Sequence, residues 1–409
     1  MKYFTSRMFL YQPRKNIIDI CCSSETSWYI DSNGDLYGCG NGSNGQQGNG
    51  RSGSRNIVKR FTKRATNVKQ VVCSYATTWY VTTSGDLYGC GSSSNGQQGN
   101  GSTDNVTTFT KRASNVKQVA CDSSTTWYVT TSGDLYGCGA GSSGQQGNGQ
   151  QGSSSADVTT FTKRASGVAD VKAGGIATWY LKTNGDLYGC GDNSYYEQGY
   201  DGGNVTTFTK RASNVKQIDS YGSTTWYVTT SGDLYGCGSG GVGQQGSGAT
   251  SNVKSFTKRA SNVKNVFASK STTWYVTTSG DLYGCGNGNY GQQSSGDTSK
   301  ILSFTKRASG VANVFNAAET TWYLKTNGDL YGCGRNNHGQ QGNNSTTNIP
   351  TFTKQASNVD KISCSASKTF CITSDKRLFG CGNNSYGQQG NGDDSDVLIF
   401  KQRQWYNFN

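Results

Sequence analysis

Cysteine and histidine are the residue types in this sequence that could build a catalytic or metal-binding site. The chain has fourteen cysteines but one histidine, His338. A Ser-His or Cys-His nucleophile would therefore depend on His338 alone, which lies in an Asn-Asn-His-Gly stretch typical of a loop. We predict from this that the protein is not an enzyme.

Eight of the cysteines recur once in each copy of a repeated phrase, Leu-Tyr-Gly-Cys-Gly or a close variant of it. They are Cys39, Cys90, Cys138, Cys190, Cys237, Cys285, Cys333 and Cys381. Metal ligands must lie close together, and cysteine ligands usually come in Cys-x₂-Cys pairs. One cysteine per repeat keeps neighbouring thiols apart, so we interpret these residues as small buried side chains. The sequence predicts no metal and no cofactor.

Two other recurrent motifs are also better explained by structure than by chemistry. The aspartates that follow turn glycines, such as Asp86 and Asp134, are typical of turn stabilisation. The Gly-Gln-Gln-Gly loops lack the Gly-Lys-Ser/Thr sequence and the following helix of a phosphate-binding loop. Neither motif therefore indicates catalysis.

A Lys-Arg dipeptide recurs at the same place in six repeats, in a chain of net charge +13. The candidate binding residues are Lys63, Arg64, Lys111, Arg112, Lys163, Arg164, Lys210, Arg211, Lys258, Arg259, Lys306 and Arg307, with Lys354 and Lys401 as weaker counterparts. A ring of such pairs could bind the phosphates of a nucleic acid or an acidic protein. Alternatively, duplication copied a solvated pair that the aspartate of a neighbouring turn offsets locally.

Internal repetition covers nearly the whole chain. The phrase Thr-Thr-Trp-Tyr-Val-Thr-Thr-Ser-Gly-Asp-Leu-Tyr-Gly-Cys-Gly occurs four times without change, starting at Thr77, Thr125, Thr224 and Thr272. Looser copies surround Trp28, Trp179, Trp322 and Phe370, which gives eight anchors at intervals of 47 to 52 residues. A repeat of this length indicates one supersecondary unit per copy.

Each unit contains four short stretches typical of β-strands. In one unit these are residues 106–111, 115–120, 126–131 and 135–138, and Ser132-Gly133 separates the last two. In three units this pair is Asn-Gly (Asn33-Gly34, Asn184-Gly185 and Asn327-Gly328), which predicts a type I′ hairpin turn. We therefore predict an all-β fold, a single closed β-propeller of four-stranded antiparallel blades. Eight blades are expected over residues 1–409 as one domain, with seven blades and a displaced unit as the alternative.

The termini suggest how the ring would close. The first unit starts near Ile17 with the equivalent of a second strand, and residues 397–401 resemble the strand that it lacks. We predict that this C-terminal strand completes the first blade, with Tyr3-Phe4-Thr5 as a competing donor.

The repeat resembles that of the regulator of chromosome condensation family. The similarity lies in Gly-Asp-Leu-Tyr-Gly-Cys-Gly followed by Gly-Gln-Gln-Gly-Asn-Gly, as at residues 96–101. The resemblance implies a β-propeller, although family members usually have seven blades. The founding member is a nucleotide-exchange factor for a small nuclear GTPase and binds chromatin. The resemblance implies that exchange depends on a hairpin inserted into one blade, which opens the nucleotide site of the GTPase. Units of 47 to 52 residues leave no room for such an insertion. That activity is not transferred to this chain.

These features favour a non-catalytic scaffold that binds a protein partner, with nucleic acid as a second possible partner. The variable loops should form one face of the disc and carry the specificity; they are residues 51–55, 150–156, 195–203, 297–300 and 343–348. The alternative is a structural building block that assembles into a particle or filament. No secretory signal or membrane-spanning stretch is recognised, so we expect an intracellular protein without a membrane partner.

Overall fold

The computed structural model describes residues 15–152 and 154–403, which form eight four-stranded antiparallel sheets in a ring. Each sheet is one blade of four consecutive strands. Blades 1 to 4 comprise β1–β4 (Ile17–Cys22, Thr26–Asp31, Leu36–Asn41, Ile57–Ala65), β5–β8 (Val68–Cys73, Thr77–Thr82, Leu87–Gly91, Val106–Ala113), β9–β12 (Val116–Cys121, Thr125–Thr130, Leu135–Gly139, Val158–Ala165) and β13–β16 (Val168–Ala173, Ala177–Lys182, Leu187–Gly191, Val205–Ala212). A 3-10 helix, Ser154–Ala156, precedes β12.

The second half of the chain repeats this order. Blades 5 to 8 comprise β17–β20 (Val215–Tyr221, Thr224–Thr229, Leu234–Gly238, Val253–Ala260), β21–β24 (Val263–Ala268, Thr272–Thr277, Leu282–Gly286, Ile301–Ala308), β25–β28 (Val311–Ala317, Thr320–Lys325, Leu330–Gly334, Ile349–Ala356) and β29–β32 (Val359–Cys364, Lys368–Thr373, Leu378–Gly382, Val397–Gln402). The predicted eight-bladed propeller is confirmed.

The first strand of every blade is the innermost, because first strands of neighbouring blades contact one another around the ring. The second strand is buried at all or nearly all of its positions, as in Thr77–Thr82. The fourth strand is the outermost and is half-exposed. Each hydrophobic cluster combines side chains of two neighbouring blades, as Trp79 and Leu87 pack with Tyr128, so the core lies in the seams between blades.

Two faces of the disc follow from the antiparallel strand order. The connections from first to second strand and from third to fourth strand lie at one edge of each sheet, which we name the loop face. The connections from second to third strand, and from each fourth strand to the next blade, lie at the opposite edge, which we name the turn face.

The hairpin between the second and third strands is present in every blade, but its turn is not the predicted type I′. In blade 2 the N–H of Gly85 donates to the carbonyl of Thr82, and the N–H of Thr82 donates to the carbonyl of Asp86, both at 2.9 Å. Gly85 has a φ of +86°, whereas Ser84 is outside the left-handed region. This is a three-residue loop with a type I turn and a left-handed glycine. The prediction was wrong because the loop is one residue longer than a two-residue turn.

Ring closure also differs from the prediction. Residues 397–401 belong to β32, which pairs with β31 and so completes blade 8, while blade 1 takes its fourth strand from β4. A periodic sequence can be divided into units at any point of its period. Here each third strand is followed by its own pairing partner, so every blade is continuous in sequence. The competing donor Tyr3-Phe4-Thr5 lies outside the described residues.

The ring is closed by the same contacts that join the other blades. The N–H of Gly101 donates to the carbonyl of Thr159 in the following blade at 2.8 Å, and that of Gly392 in blade 8 donates to Lys59 in blade 1 at 2.8 Å. We name this contact the loop–strand bridge. The buried Lys368 of blade 8 also donates from Nζ to the carbonyl of Thr26 in blade 1 at 2.9 Å. Closure therefore depends on a loop, a buried side chain and seam packing.

Candidate partner-binding surfaces

The lysines of the repeated Lys-Arg dipeptide form ion pairs with aspartates of their own blades. In blade 2, Lys111 Nζ lies 2.8 Å from Asp86 Oδ1, and Ser114 donates to the same oxygen at 2.8 Å. Hydrogen bonds from Lys111 and Ser114 lower the pKa of the Asp86 carboxyl. Equivalent pairs at 2.7 to 2.9 Å are Lys63–Asp35, Lys163–Asp134, Lys210–Asp186, Lys258–Asp233, Lys306–Asp281 and Lys354–Asp329.

A register shift between the third and fourth strands creates this pairing. Leu87 lies opposite Ala113, but its neighbour Tyr88 lies opposite Lys111, so one residue of the fourth strand is skipped. Such a bulge turns the local side-chain direction. The lysine is thereby directed toward the aspartate at the start of the third strand.

The arginines of the dipeptides extend into the seams and are only partly exposed. Burial lowers the pKa of the Arg112 guanidinium, while the nearby thiols of Cys138, in the next blade, and Cys90 act in the opposite direction. The twelve predicted residues therefore divide into outer lysines paired with aspartate and arginines placed between blades.

The eighth copy of the dipeptide is not at the position that the sequence predicts. Lys401 lies opposite Gly380, as Thr110 lies opposite Gly89, so Lys401 is not the counterpart of the repeated lysine. That position is Gln402, and the arginine equivalent is Arg403. Aligning the phenylalanines of the fourth strands would have revealed this shift.

Arg403 is 2 % exposed. It donates to the carbonyl of Gly380 at 2.6 Å and to the side-chain oxygen of Gln389. Burial lowers the pKa of Arg403 to about 10. This residue therefore joins the outer strand of blade 8 to its glycine-rich loop.

A second set of lysines lies at the start of the first strands, on the turn face, near the central channel that the eight first strands surround. Lys69, Lys117 and Lys216 donate from Nζ to first-strand carbonyls of the next blade at 3.3, 3.4 and 3.1 Å. Lys264 is the fourth member, and all four are exposed. Within residues 15–152 and 154–403, none of these four inner lysines has a carboxylate oxygen within 4.0 Å. Their charge remains accessible to a ligand.

The loop face carries exposed aromatic and aliphatic side chains. Tyr75, Ile176 and Tyr221 are 55 %, 39 % and 53 % exposed and line a cavity of about 720 Å³ at the channel mouth. Tyr195 and Tyr386, in the third-to-fourth loops of blades 4 and 8, are also exposed. These five exposed side chains therefore lie on the loop face.

Sequence reasoning misses Tyr75, Ile176 and Tyr221 because it considers variation only in the longer loops. The signal is present in the short first-to-second turns, which read Ser-Tyr-Ala at residue 75, Gly-Gly-Ile at residue 176 and Asp-Ser-Ser in blade 3. These turns differ between blades whose strands are nearly identical.

The eight recurrent cysteines lie in eight separate seams and are fully buried. The thiol of Cys90 donates to the backbone carbonyl of Gln46 in the preceding blade at 3.5 Å, and Cys138 does the same to Gln97 at 3.4 Å. Burial raises the pKa of both thiols. In the described part of the chain, no group of three or more His, Cys, Asp or Glu side chains could hold a metal ion.

His338 lies in a loop-to-loop contact between blades 7 and 8. Its Nδ1 is 2.7 Å from Asp396 Oδ2 and 3.1 Å from Asn383 Nδ2. The hydrogen bonds of the ring, as far as the described residues show, involve no thiol or hydroxyl group. No helix among the described residues has the length and apolar character needed to cross a bilayer.

Models of known families match parts of this chain. The regulator of chromosome condensation (RCC1) repeat matches residues 68–97 and 359–388 in one model and residues 327–372 in another.

Solved structures of similar fold match this chain at low sequence identity. Prp20p from Saccharomyces cerevisiae, described with its binding properties to Gsp1p and histones, has a TM-score of 0.61 and 16 % identity over 81 % of this chain and 88 % of its own. Human WBSCR16 has a TM-score of 0.58 and 18 % identity over 87 % of this chain and 86 % of its own. Yeast RCC1 (Prp20) bound to Kap60 has a TM-score of 0.60 and 14 % identity over 96 % of this chain and 85 % of its own.

Together, the closed ring of four-stranded sheets and the loop-bearing face define the class of protein as a β-propeller of eight blades. Its repeats carry the glycine-rich element that the family models match. The chain is an RCC1-type β-propeller.

Proposed function

We propose that this propeller is a non-catalytic scaffold that binds a protein partner through its loop face. The observation that carries the proposal is the cluster of Tyr75, Ile176 and Tyr221 around the channel mouth. Tyrosine is enriched among the residues that dominate binding energy, because it combines a large apolar ring with a hydrogen-bonding hydroxyl. The similarity to Prp20p, described as binding Gsp1p and histones, supports a protein partner.

The experiment compares retention of partners from native extract by wild-type protein and by a Tyr75→Ser/Tyr221→Ser variant. Both tyrosines are more than half exposed, so the variant should keep the thermal stability of the wild type. We expect the variant to lose the protein that the wild type retains.

Ile18→Ser is the matched control, because Ile18 is 41 % exposed but lies on the first strand of blade 1, toward the turn face. Equal retention by wild type and the double variant, at equal melting temperature, would contradict the role of the loop face.

A second candidate function is the binding of a polyanion, nucleic acid or acidic protein, on the turn face. The inner lysines favour it, because Lys69, Lys117 and Lys216 donate to backbone carbonyls and have no carboxylate partner among the described residues. The outer lysines support it less, since each has an aspartate partner.

Self-assembly into a particle or filament remains the alternative from another class. Sedimentation velocity at increasing concentration and physiological salt separates it from the scaffold, because only a building block would grow with concentration. We also propose an intracellular location, which the fourteen unpaired cysteines support.

A further inference from the structure

Blade 8 lacks one aromatic ring that the other seven blades share. The fourth residue of the second strand lies directly opposite the second residue of the third strand, as Tyr80 lies opposite Tyr88. Seven blades have tyrosine at both positions, whereas blade 8 has Cys371 opposite Phe379. The departure is visible in the sequence, but its consequence depends on what surrounds the position.

In the seven complete blades the second-strand tyrosine is held between two other rings. Tyr80 stacks on Tyr88 with ring centroids 4.9 Å apart, and it meets the edge of Phe109 at 4.9 Å. In the other six blades the ring centroids of the stacked tyrosines are 4.8 to 5.0 Å apart, and those of the tyrosine and phenylalanine are 4.7 to 4.9 Å apart. In blade 8 the corresponding flanking rings are Phe379 and Phe400.

A cavity of about 380 Å³ lies where the missing ring would be, in the seam between blades 7 and 8. Cys371, Phe379 and Phe400 line its interior, and Cys371 is 1 % exposed. The cavity opens on the turn face between 356–358 of blade 7 and 373–377 of blade 8. Apolar cavities of roughly 150 Å³ already hold a benzene ring, and ligand pockets start at about 300 Å³.

The mouth of this cavity also differs from the equivalent places in the other blades. The repeated Asp–Lys ion pair is replaced by Arg377 at the aspartate position and by Gln402 at the lysine position. Arg377 instead lies over the ring of Phe379 at 5.6 Å and pairs with Asp375 at 2.7 Å. The entrance is therefore polar, while its interior is apolar and aromatic.

We propose that this cavity is a binding site for one planar aromatic ring of the phenol class. The ring occupies the place of the absent tyrosine, stacks on Phe379 and meets the edge of Phe400. Its hydroxyl group faces the polar mouth, as the hydroxyl of a resident tyrosine would. This site is distinct from the loop face and independent of the proposed partner.

The probe is p-cresol, which is the tyrosine side chain without its backbone, titrated against the whole protein by calorimetry or ligand-observed NMR. We expect one site with a dissociation constant on the order of 0.1–1 mM, as for a ligand of so few atoms. We expect 4-methylcyclohexanol, of similar size but not planar, to bind at least about tenfold more weakly, because it cannot stack.

Two variants test the assignment. Cys371→Tyr restores the side chain of the other blades, so it should abolish p-cresol binding and raise the melting temperature. Tyr323→Cys makes the same departure in blade 7 and should raise the number of p-cresol sites from one to two. Absence of saturable binding to the wild type, or unchanged binding after Cys371→Tyr in a folded protein, would overturn the proposal.

A short peptide with a single central tyrosine between glycines distinguishes the source of the ring. Displacement of p-cresol by this peptide, and not by its alanine counterpart, would assign the site to a tyrosine of another protein. Binding of p-cresol without displacement would assign it to a free phenol. Either result supports a site for an aromatic ring.

Discussion

Glu197 replaces, in blade 4, the first glutamine of the repeated Gly-Gln-Gln-Gly loop. In blade 1 the side-chain oxygen of Gln46 accepts the N–H of Asn44 at 2.8 Å, and Glu197 accepts that of Tyr195 at 2.8 Å in the same way. Glu197 is fully buried, and desolvation, together with the nearby Asp192 carboxylate, raises its pKa to about 7. A loop that is neutral elsewhere thus carries a titratable group in this blade.

This residue should make the stability of the protein depend on pH. The folded state binds the Glu197 proton more tightly than the unfolded state, so stability is lost as pH rises from about 4.5 through about 7. At pH 8 we expect the free energy of unfolding of Glu197→Gln to exceed that of the wild type by about 3 kcal/mol, because the pKa of Glu197 rises from 4.5 to about 7 on folding and one pKa unit is worth about 1.4 kcal/mol.

The measurement is urea unfolding of both proteins between pH 4.5 and 8. The difference between them should shrink toward pH 4.5, where Glu197 is protonated in the folded state and about half protonated in the unfolded state. A difference that stays constant with pH would contradict the assignment of the shift to this carboxyl.

Individual residues also explain which chemistry can and cannot be foreseen from the sequence. The burial of Cys90 and its equivalents follows from their type and from flanking glycines, and the structure has them at 0 % exposure. The sequence indicates the pairing of Lys111 with Asp86 only as an alternative, since the two residues are far apart along the chain and meet through a bulge.

The glycine-rich loops are the elements that join one blade to the next. Gly99 has a φ of +59°, and a Cβ there would lie 2.4 Å from the ring of Phe161 in the following blade. Gly101, two residues later, has a φ of +82°, but a Cβ there would be 3.8 Å from its nearest neighbour, in Thr160. The two glycines share a left-handed backbone and differ in the space around them.

This difference predicts unequal effects of the same substitution. Gly101→Ala should cost about 1 kcal/mol of unfolding free energy, because of backbone strain alone. Gly99→Ala should cost about 1–3 kcal/mol more, because it also overpacks the seam against Phe161. Chemical denaturation of the two variants checks the ranking, and equal losses would show that the seam yields at Phe161.

The strands themselves were largely predictable. Alternating residues and flanking turn signals predict 106–111 for a strand that spans Val106–Ala113, and 126–131 for one that spans Thr125–Thr130. The predicted turn type was wrong because loop length, and not the Asn-Gly or Ser-Gly pair alone, determines the backbone conformation. Blade membership was wrong for the C-terminal strand because pairing partners are a property of the sheet.

At the scale of the whole molecule, charge is distributed unequally between two rings of lysines. In the inner ring, Lys69, Lys117 and Lys216 donate to backbone carbonyls, whereas outer lysines such as Lys111 pair with aspartates. Exposed cations without a carboxylate partner can neutralise phosphates directly.

We therefore expect replacement of the four inner lysines (Lys69, Lys117, Lys216 and Lys264) by glutamine to weaken binding to a 20-base-pair DNA duplex. Each phosphate that the variant no longer neutralises should reduce the slope of log K against log salt by about 0.9. The control variant removes two outer pairs without changing net charge, by Lys111→Gln with Asp86→Asn and Lys258→Gln with Asp233→Asn. Its DNA binding should match the wild type.

Fluorescence anisotropy at several salt concentrations measures both slopes. All substituted lysines are exposed, so folding should be little affected. Identical affinity and slope in the wild type and the inner-lysine variant would eliminate the polyanion function.

The amino-acid sequence by itself determined the unit of this protein and the number of its copies. Strand periodicity, turn glycines and eight anchors at regular spacing are local properties, and they predict an eight-bladed all-β propeller. Only the tertiary structure decided which strands share a blade, which face holds Tyr75 and Tyr221, which lysines are paired, and that Cys371 leaves a cavity. These features depend on strand register and on contacts between blades. Because the repeats are nearly identical, the same residues occur at every position in the ring, and the sequence alone does not show which of them meet.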